Sequence, residues 1–142
     1  MKHLRRTLAT LLVLAAGSTA TLAGKSAAQQ AIQDGYAAAA RAADPAFKGF
    51  SAERGKAFFH AKHGGGKPET PSCTTCHTSD PTAAGKSRAG KTIAPMAASR
   101  SPERFSDQKQ VEKWFRRNCS DVLGRACTAS EKGDVLAYLL SL

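Results

Sequence analysis

The chain has 142 residues, and its 21 lysine and arginine residues against 11 acidic residues give a formal net charge of +10 at pH 7. This length is enough for one small domain and little more. A basic chain can bind nucleic acid, but the cations here are scattered and no nucleic-acid motif is visible. We therefore expect no nucleic-acid partner and interpret the basic charge as suited to docking an acidic partner.

The N-terminal segment has the order of features of a secretory signal peptide. Three basic residues come first: Lys2, Arg5 and Arg6. An uncharged apolar run at 8–17 follows, which has the length of a signal core but is shorter than the ~20 apolar residues of a membrane span. Small residues permit cleavage after Ala23 or Ala28, and we favour Ala28. We expect 1–28 to be the signal peptide of a periplasmic protein without stable membrane insertion.

Two helices are expected before the middle of the chain. The Ala-rich stretch "QQAIQDGYAAAARAA" predicts a short, weakly anchored helix within an N-terminal extension at 29–50. A second helix begins the main domain at 51–142, where Ser51 is a suitable N-cap and Glu53 lies in the first turn. We expect this helix to continue through "AERGKAFFHAKH" to His63, because "GGGKPETPS" then breaks it.

The motif "CTTCH" at 73–77 carries the main chemical signal of the sequence. Cys73 and Cys76 are spaced to form thioether bonds with the two vinyl groups of one haem, and His77 then binds the iron as proximal ligand. The alternatives are half of a zinc site or a redox dithiol. Zinc needs two more ligands at matched spacing, and a redox dithiol needs a βαβ context that we do not find. We therefore expect one covalently bound haem c.

A long loop at 78–102 follows the motif. It contains Gly, Pro, Ser and other small residues without a sustained period, and a loop of this length needs a surface to pack against. The haem would provide that surface.

The last third predicts two more helices. Ser106 or Asp107 can cap "DQKQVEKWFRRN", in which Val111, Trp114 and Phe115 mark one face at helical spacing. Asn118 falls on the same face, so a polar amide is directed toward the core.

In the final helix Thr128 and Glu131 form a capping box. Its apolar stripe consists of Val135, Leu136, Leu139 and Leu140.

Two cysteines remain once the haem motif is set aside. In an oxidising compartment Cys119 and Cys127 should form a disulfide that stabilises the fold by about 2.5 kcal/mol on the chain-entropy estimate. The alternative is a pair of unbonded buried thiols. The bridge would begin next to Asn118 and restrain its backbone.

The motifs resemble a known fold. "GKAFF", "CTTCH" and "DVLAYLLSL" look like the class I cytochrome c fold, an all-α domain wrapped around one haem. In that fold a glycine and an aromatic residue on the first helix, here Gly55 and Phe59, cross an aromatic residue on the last, here Tyr138. The cytochrome c domain would thus occupy 51–142.

A more specific resemblance extends from Gly55 to Leu142. This region is similar to the sphaeroides haem protein family of oxygen-binding cytochromes c, in which a haem-liganding asparagine immediately precedes a disulfide-bonded cysteine. "RRNC" and "GRAC" match that pattern at Asn118, Cys119 and Cys127.

The resemblance implies that Asn118 is the sixth iron ligand. An amide oxygen holds ferric iron but holds ferrous iron poorly, so reduction would release it and allow a diatomic gas, O₂ or NO, to bind. The resemblance also implies a dihaem cytochrome c and a membrane cytochrome b as redox partners. The simpler alternative is that Asn118 ends a helix, as asparagine often does.

Met96 is the competing sixth ligand. A thioether binds ferrous iron well and would close the site, which makes a plain electron-transfer cytochrome the second interpretation. His60 and His63 belong to the end of the second helix, where a surface or supporting role is expected. No constellation of catalytic acid, base and nucleophile is visible, so an enzyme assignment beyond haem redox chemistry is not supported.

Overall fold

The structure is a computed structural model that describes residues 24–142, so most of the expected signal peptide, including Ala23, lies outside the described residues. The described chain forms α1 Ala27–Ala43, α2 Ala52–His60, α3 Thr74–His77, β1 Gly85–Lys86, β2 Thr92–Ile93, α4 Gln108–Leu123 and α5 Ala129–Leu140. This confirms the all-α prediction apart from one small hairpin. None of the described helices is long and apolar enough to cross a membrane.

The first helix is an integral part of the core. Ile32 and Tyr36 are buried with Val111 and Leu136, and the Tyr36 hydroxyl donates to Glu112 over 2.5 Å. The prediction of a weakly anchored helix is therefore wrong. The sequence pattern led us to underestimate how firmly α1 is anchored, because this helix has only two large buried apolar side chains among many alanines.

The N-terminus of α1 is also held in place. Ser26 caps the helix and forms a reciprocal capping box with Gln29, a contact that cleavage after Ala23 would keep and cleavage after Ala28 would remove. The Gln29 side chain donates further to the carbonyls of Pro102 and Arg104, over 2.9 and 2.7 Å. This single glutamine ties α1 to the loop before α4.

The predicted crossing of α2 and α5 is present. Gly55 lies so close to α5 that an added Cβ would be 1.9 Å from the Asp134 carbonyl oxygen and 3.0 Å from Tyr138 Cβ. Phe59 packs edge-on against Tyr138, with ring centroids 5.9 Å apart. Arg54 adds an ion pair to the Asp134 carboxylate at 2.8 Å.

The second helix starts where expected and ends early. Ser51 is its N-cap and accepts a hydrogen bond from the Arg54 backbone. The helix ends at His60 rather than His63, because Ala61 takes an extended conformation. The glycine run therefore lies beyond a helix that has already ended.

The long loop contains one element that the sequence pattern did not predict. β1 and β2 pair antiparallel, with Gly85 opposite Ile93 and Lys86 opposite Thr92. A Cβ on Gly85 would lie 2.1 Å from the Cys76 carbonyl oxygen. The hairpin thus packs directly on the backbone of the CTTCH turn.

The fourth helix has a narrower buried face than predicted. Asp107 is its N-cap, Val111 and Val122 are buried, and Phe115 packs against the core. Trp114, however, is 50% exposed. The prediction of a buried Trp114 is wrong because this residue lies at the edge of the face, three positions after Val111 rather than four.

The last helix has the expected cap and stripe. Thr128 and Glu131 form the capping box. Val135, Leu136 and Leu139 are buried, and Leu140 is half-buried. α5 thereby contributes to both apolar clusters of the core.

The close approach of α2 and α5 gives a testable expectation. Gly55→Ala should lower the free energy of unfolding by about 1–3 kcal/mol or prevent folding, because backbone atoms must move to admit the methyl group. Urea denaturation of the haem-loaded protein, followed by circular dichroism, measures this change.

Gly35→Ala is the matched control. Nothing lies within 4 Å of a Cβ at this helical position, so the substitution should be neutral or stabilise by up to about 1 kcal/mol. Equal effects of the two substitutions would show that the helix crossing is not under steric constraint.

Candidate haem-binding site

The CTTCH motif forms a single helical turn. The backbone amides of Cys76 and His77 both donate to the Cys73 carbonyl, over 3.3 and 3.1 Å. Side chains three and four positions apart share one side of a helix. Both thiols and the imidazole therefore project from the same side of α3. Thr78 then turns the chain away with a φ of +62°, a conformation that non-glycine residues adopt at some energetic cost.

The His77 imidazole has the protonation state that a metal ligand requires. Burial, with a smaller contribution from the nearby Arg104 guanidinium, lowers the pKa of His77 to about 4. Its Nδ1 is the one buried side-chain nitrogen or oxygen atom within residues 24–142 that lacks a hydrogen-bond partner. The ring is thus neutral at ordinary pH, with a bonding capacity that the described chain leaves unmet.

The two motif cysteines fit thioether attachment better than the alternatives. Both thiols are free, and burial raises the pKa of Cys73 to about 11. Redox-active dithiols instead have lowered pKa values. Between residues 24 and 142 no three His, Cys, Asp or Glu side chains are grouped as a metal ion would require, so a zinc half-site would lack its further ligands.

An apolar cluster surrounds the motif. It consists of Phe59, Val135, Tyr138 and Leu139. Cys73, Met96 and Phe115 pack against this cluster, and the Phe59 and His77 ring centroids are 6.3 Å apart. α3, the long loop, α4 and α5 therefore converge at one place, with the flat aromatic and aliphatic surfaces that a haem requires.

Asn118 lies in the interior of α4. The helix continues to Leu123 and ends at Gly124, which has a left-handed φ of +70°. The interpretation of Asn118 as a helix end is therefore wrong. Asn118 is partly buried and follows Phe115 by three residues, on the side of α4 that carries Val122. Its placement opposite His77 stays a prediction.

The expected disulfide is present between Cys119 and Cys127, with Cα atoms 5.6 Å apart. Both residues are buried. The bridge joins the last turns of α4 to the residue before the Thr128 cap of α5. The Asp121 carbonyl also accepts hydrogen bonds from the Lys67 amide and the Thr70 hydroxyl. The backbone beside Asn118 is thus fixed at its C-terminal side.

The other candidate ligands are accounted for by their contacts. The Met96 amide donates to the Pro81 carbonyl over 2.8 Å, and its side chain touches the cluster described above. His60 Nε2 lies 3.3 Å from the Tyr138 hydroxyl, and His63 Nε2 lies 3.0 Å from the Phe58 carbonyl. The two histidines are therefore occupied by hydrogen bonds within the fold.

Arg104 is a site residue that the sequence did not reveal. Its half-buried guanidinium donates to the carbonyls of Pro95 and Ala94, each over 2.6 Å. This interaction fixes the segment immediately before Met96 and places a cation near His77. Only the folded path of the loop brings these groups together, so no local sequence pattern could have identified it.

Known proteins resemble this chain along most of its length. Residues 45–139 match a family described as a domain of unknown function, DUF1924. The cytochrome c-type protein SHP of Cereibacter sphaeroides is 55% identical over 118 residues, which cover 83% of this chain and 86% of that protein.

Solved structures extend the comparison to the fold. Oxidized SHP, an oxygen-binding cytochrome c, matches with a TM-score of 0.75 and 49% identity, over 84% of this chain and 99% of that one. The solution structure of cytochrome c'' from Methylophilus methylotrophus, which concerns haem-ligand detachment, matches with a TM-score of 0.69 and 35% identity, over 80% and 93% of the two chains.

The roles of the cysteines can be separated by substitution. Denaturation in acidified acetone should leave haem on the wild-type chain, whereas Cys73→Ser with Cys76→Ser should lose it because the thioether bonds cannot form. As a control, Cys119→Ser with Cys127→Ser should retain covalent haem, since those sulfurs bond to each other. Extraction of haem from the wild-type chain would contradict the assignment.

Thiol labelling provides a second measurement. The denatured, unreduced protein should bind no thiol reagent, because every cysteine is either in a thioether or in the Cys119–Cys127 bridge. Reduction should then expose only the two bridge thiols, since thioethers resist reducing agents. Labelling before reduction would show that the bridge is absent or that haem is not attached at both positions.

Proposed function

The chain belongs to the SHP family of c-type cytochromes and carries covalently bound haem, and on this premise we propose that it is a periplasmic monohaem cytochrome that binds a diatomic gas once reduced. The gas would be O₂ or NO, and the binding site would open by release of Asn118. The related SHP is an oxygen-binding cytochrome c, and the related cytochrome c'' undergoes haem-ligand detachment. Both precedents support a haem whose sixth position can open.

Three residues of α3 and its N-cap would hold the cofactor. Cys73 and Cys76 supply the sulfurs for covalent attachment, and the neutral His77 imidazole supplies the proximal ligand. The haem contributes an iron that accepts one electron and, when ferrous, can bind a small gas molecule. Phe59 and its apolar neighbours exclude water from this side of the site.

The interior position of Asn118 in α4 carries the proposal. Asparagine is unfavourable within helices, and Asn118 is partly buried in the middle of one. A position at the end of the helix would explain why an asparagine occurs here, but α4 continues for five residues beyond Asn118, to Leu123. A bond from the amide oxygen to iron would account for an asparagine at this place.

The chemistry of the amide explains how the site would open. Its neutral oxygen is a weak donor that suits ferric iron and holds ferrous iron poorly, so Asn118 would leave on reduction. The freed NH₂ group could then donate a hydrogen bond to a bound gas. Because the Cys119–Cys127 bridge fixes the neighbouring backbone, release would proceed by side-chain rotation.

A closed electron carrier is the second candidate. Met96 packs against the same cluster as Cys73, so its thioether is available near the haem. If Met96 bound the iron, both oxidation states would be closed and the protein would only transfer electrons. The proposed reductants in either case are a dihaem cytochrome c and a membrane cytochrome b, as the family resemblance implies.

Substitution of each candidate ligand distinguishes these functions. With Asn118 as ligand, the reduced wild-type protein should be high-spin and bind CO rapidly, and Asn118→Ala should change the ferric spectrum while ferrous CO binding persists. Met96→Ala should alter little. Visible and near-infrared spectra of both oxidation states, with stopped-flow CO binding, measure these properties.

The opposite spectroscopic result would identify Met96 as the sixth iron ligand. A methionine–iron charge-transfer band in the ferric protein, with a low-spin reduced state nearly inert to CO, would contradict Asn118 ligation. In that case Met96→Ala alone should open the haem.

A further inference from the structure

At the edge between its buried and exposed sides, α4 carries an unusual aromatic residue. Trp114 is the large apolar side chain that stands out as exposed within residues 24–142, at 50%. Two cations flank its indole ring: Lys113 Nζ lies 5.7 Å from a ring centroid and the Arg117 guanidinium carbon lies 5.3 Å from one. Tryptophan and arginine are both enriched among the residues that contribute most to binding at protein interfaces.

The exposed side of α4 next to Trp114 is strongly basic. We define the α4 basic patch as Lys109, Lys113, Trp114, Arg116 and Arg117, all of which are exposed. None of these four cations forms a salt bridge within the described chain, where the ion pairs use other residues. Their charge is therefore available to an external partner.

The acidic residues of α4 do not neutralise the patch. Glu112 accepts hydrogen bonds from Tyr36 of α1 and Lys132 of α5, over 2.5 and 2.8 Å. It is therefore engaged on the inward side of α4. Glu112 also attracts Arg116, and Asp121 attracts Arg117, but four cations against these two carboxylates leave the outward side with a net positive charge.

A polar hollow extends the patch toward the loop regions. It has a volume of about 370 Å³ and is lined by Arg116 and Arg117 together with Arg88, Lys67, Ser120 and Asp121. Lys67 and Arg88 are paired with Asp121 and Glu69, at 2.5 and 2.7 Å. The unpaired arginines of α4 thus form the positive wall of a recess into which acidic side chains could fit.

The patch lies one helix thickness from the proposed haem. Phe115, the neighbour of Trp114, packs on the cluster that Cys73 also contacts. An α-helix with its side chains is about 10–12 Å across. A protein docked on the outward side of α4 is therefore separated from the cofactor site by little more than this helix.

We propose that the α4 basic patch is the docking surface for the protein that reduces this cytochrome, and that this partner is an acidic one-electron carrier. The inference rests on the proposed electron-accepting function. In the step, the partner loses one electron and the ferric iron gains it, and no atom is transferred between the proteins. Charge steers the encounter, and Trp114 provides apolar contact at the edge of the patch. One helix face suits the small interfaces of redox complexes, below about 1,200 Å².

Stopped-flow reduction by an acidic probe tests the surface. The probe is fully reduced flavodoxin, and haem absorbance reports the rate as ionic strength is varied. Lys113→Glu with Arg117→Glu should slow reduction at least about tenfold at low salt, because the steering potential is reversed. The difference should shrink at high salt, where charges are screened.

A matched variant separates a local surface from net charge. Lys48→Glu with Lys56→Glu makes the same change of charge at exposed positions outside the patch, and it should slow reduction far less. Trp114→Ala should lower the rate while leaving its dependence on salt unchanged, since it removes apolar contact but no charge. Equal slowing by both charge reversals, or no slowing by either, would overturn the proposal.

Two further measurements keep this proposal separate from the previous one. Reduction by photoreduced lumiflavin, a small neutral reductant, should be equal in all variants, and unequal rates would show damage to the haem site rather than lost docking. The reduced wild type could fail to bind CO while the patch still controls the rate of reduction by flavodoxin. That result would contradict the gas-binding proposal and support the docking proposal. If the patch substitutions abolish binding to phosphatidylglycerol vesicles but do not change the rate of reduction by flavodoxin, the patch is a membrane-binding surface and the docking proposal is wrong.

Discussion

The contact between Gly55 and the backbone of α5 is the constraint on which the rest of the structure depends. No Cβ fits between α2 and the Asp134 carbonyl, so the two helices lie at backbone contact. That contact brings Phe59 against Tyr138. Ser72 then donates to the Phe59 carbonyl over 3.2 Å, and this bond positions the turn that begins at Cys73. The location of both thiols and the imidazole thus follows from the absence of one methyl group on α2.

The two sides of α4 face different surroundings, the core and the solvent. Its inward side carries Phe115, which packs on the core, and its outward side carries the cations of the α4 basic patch. Trp114 and Asn118 lie four residues apart along the edge between these two sides. The Cys119–Cys127 bridge holds the end of this helix against α5. In the proposed function, electron entry and opening of the iron site would therefore occur across a single rigid element. The proposal therefore requires no large rearrangement between the docking surface and Asn118.

Local signals in the sequence predicted the parts of the fold that local physics determines. Helix caps depend on a few adjacent atoms, so Ser51 and Thr128 were identified correctly. The disulfide pairing followed because only two cysteines remained outside the haem motif. Features that depend on distant packing were missed: α1 is anchored mainly by hydrogen bonds and two side chains, and Arg104 reaches the site only through the folded loop. Trp114 was misplaced because a spacing of three residues from Val111 can lie at either edge of a helix face.

The two candidate ligands lie on different kinds of structural element, and this difference affects how reversibly the iron site could open. Met96 lies in an irregular loop, although Pro81 and Arg104 hold its neighbourhood by hydrogen bonds. Asn118 lies on a helix that is crosslinked one residue later. A weak ligand on a rigid backbone can detach by side-chain rotation and remain beside the iron, where its NH₂ group can contact a bound gas. A strong thioether ligand has no such second role, because binding gas would require its complete displacement. The rigidity of α4 around Asn118 is therefore better suited to gas binding than to a permanently closed haem.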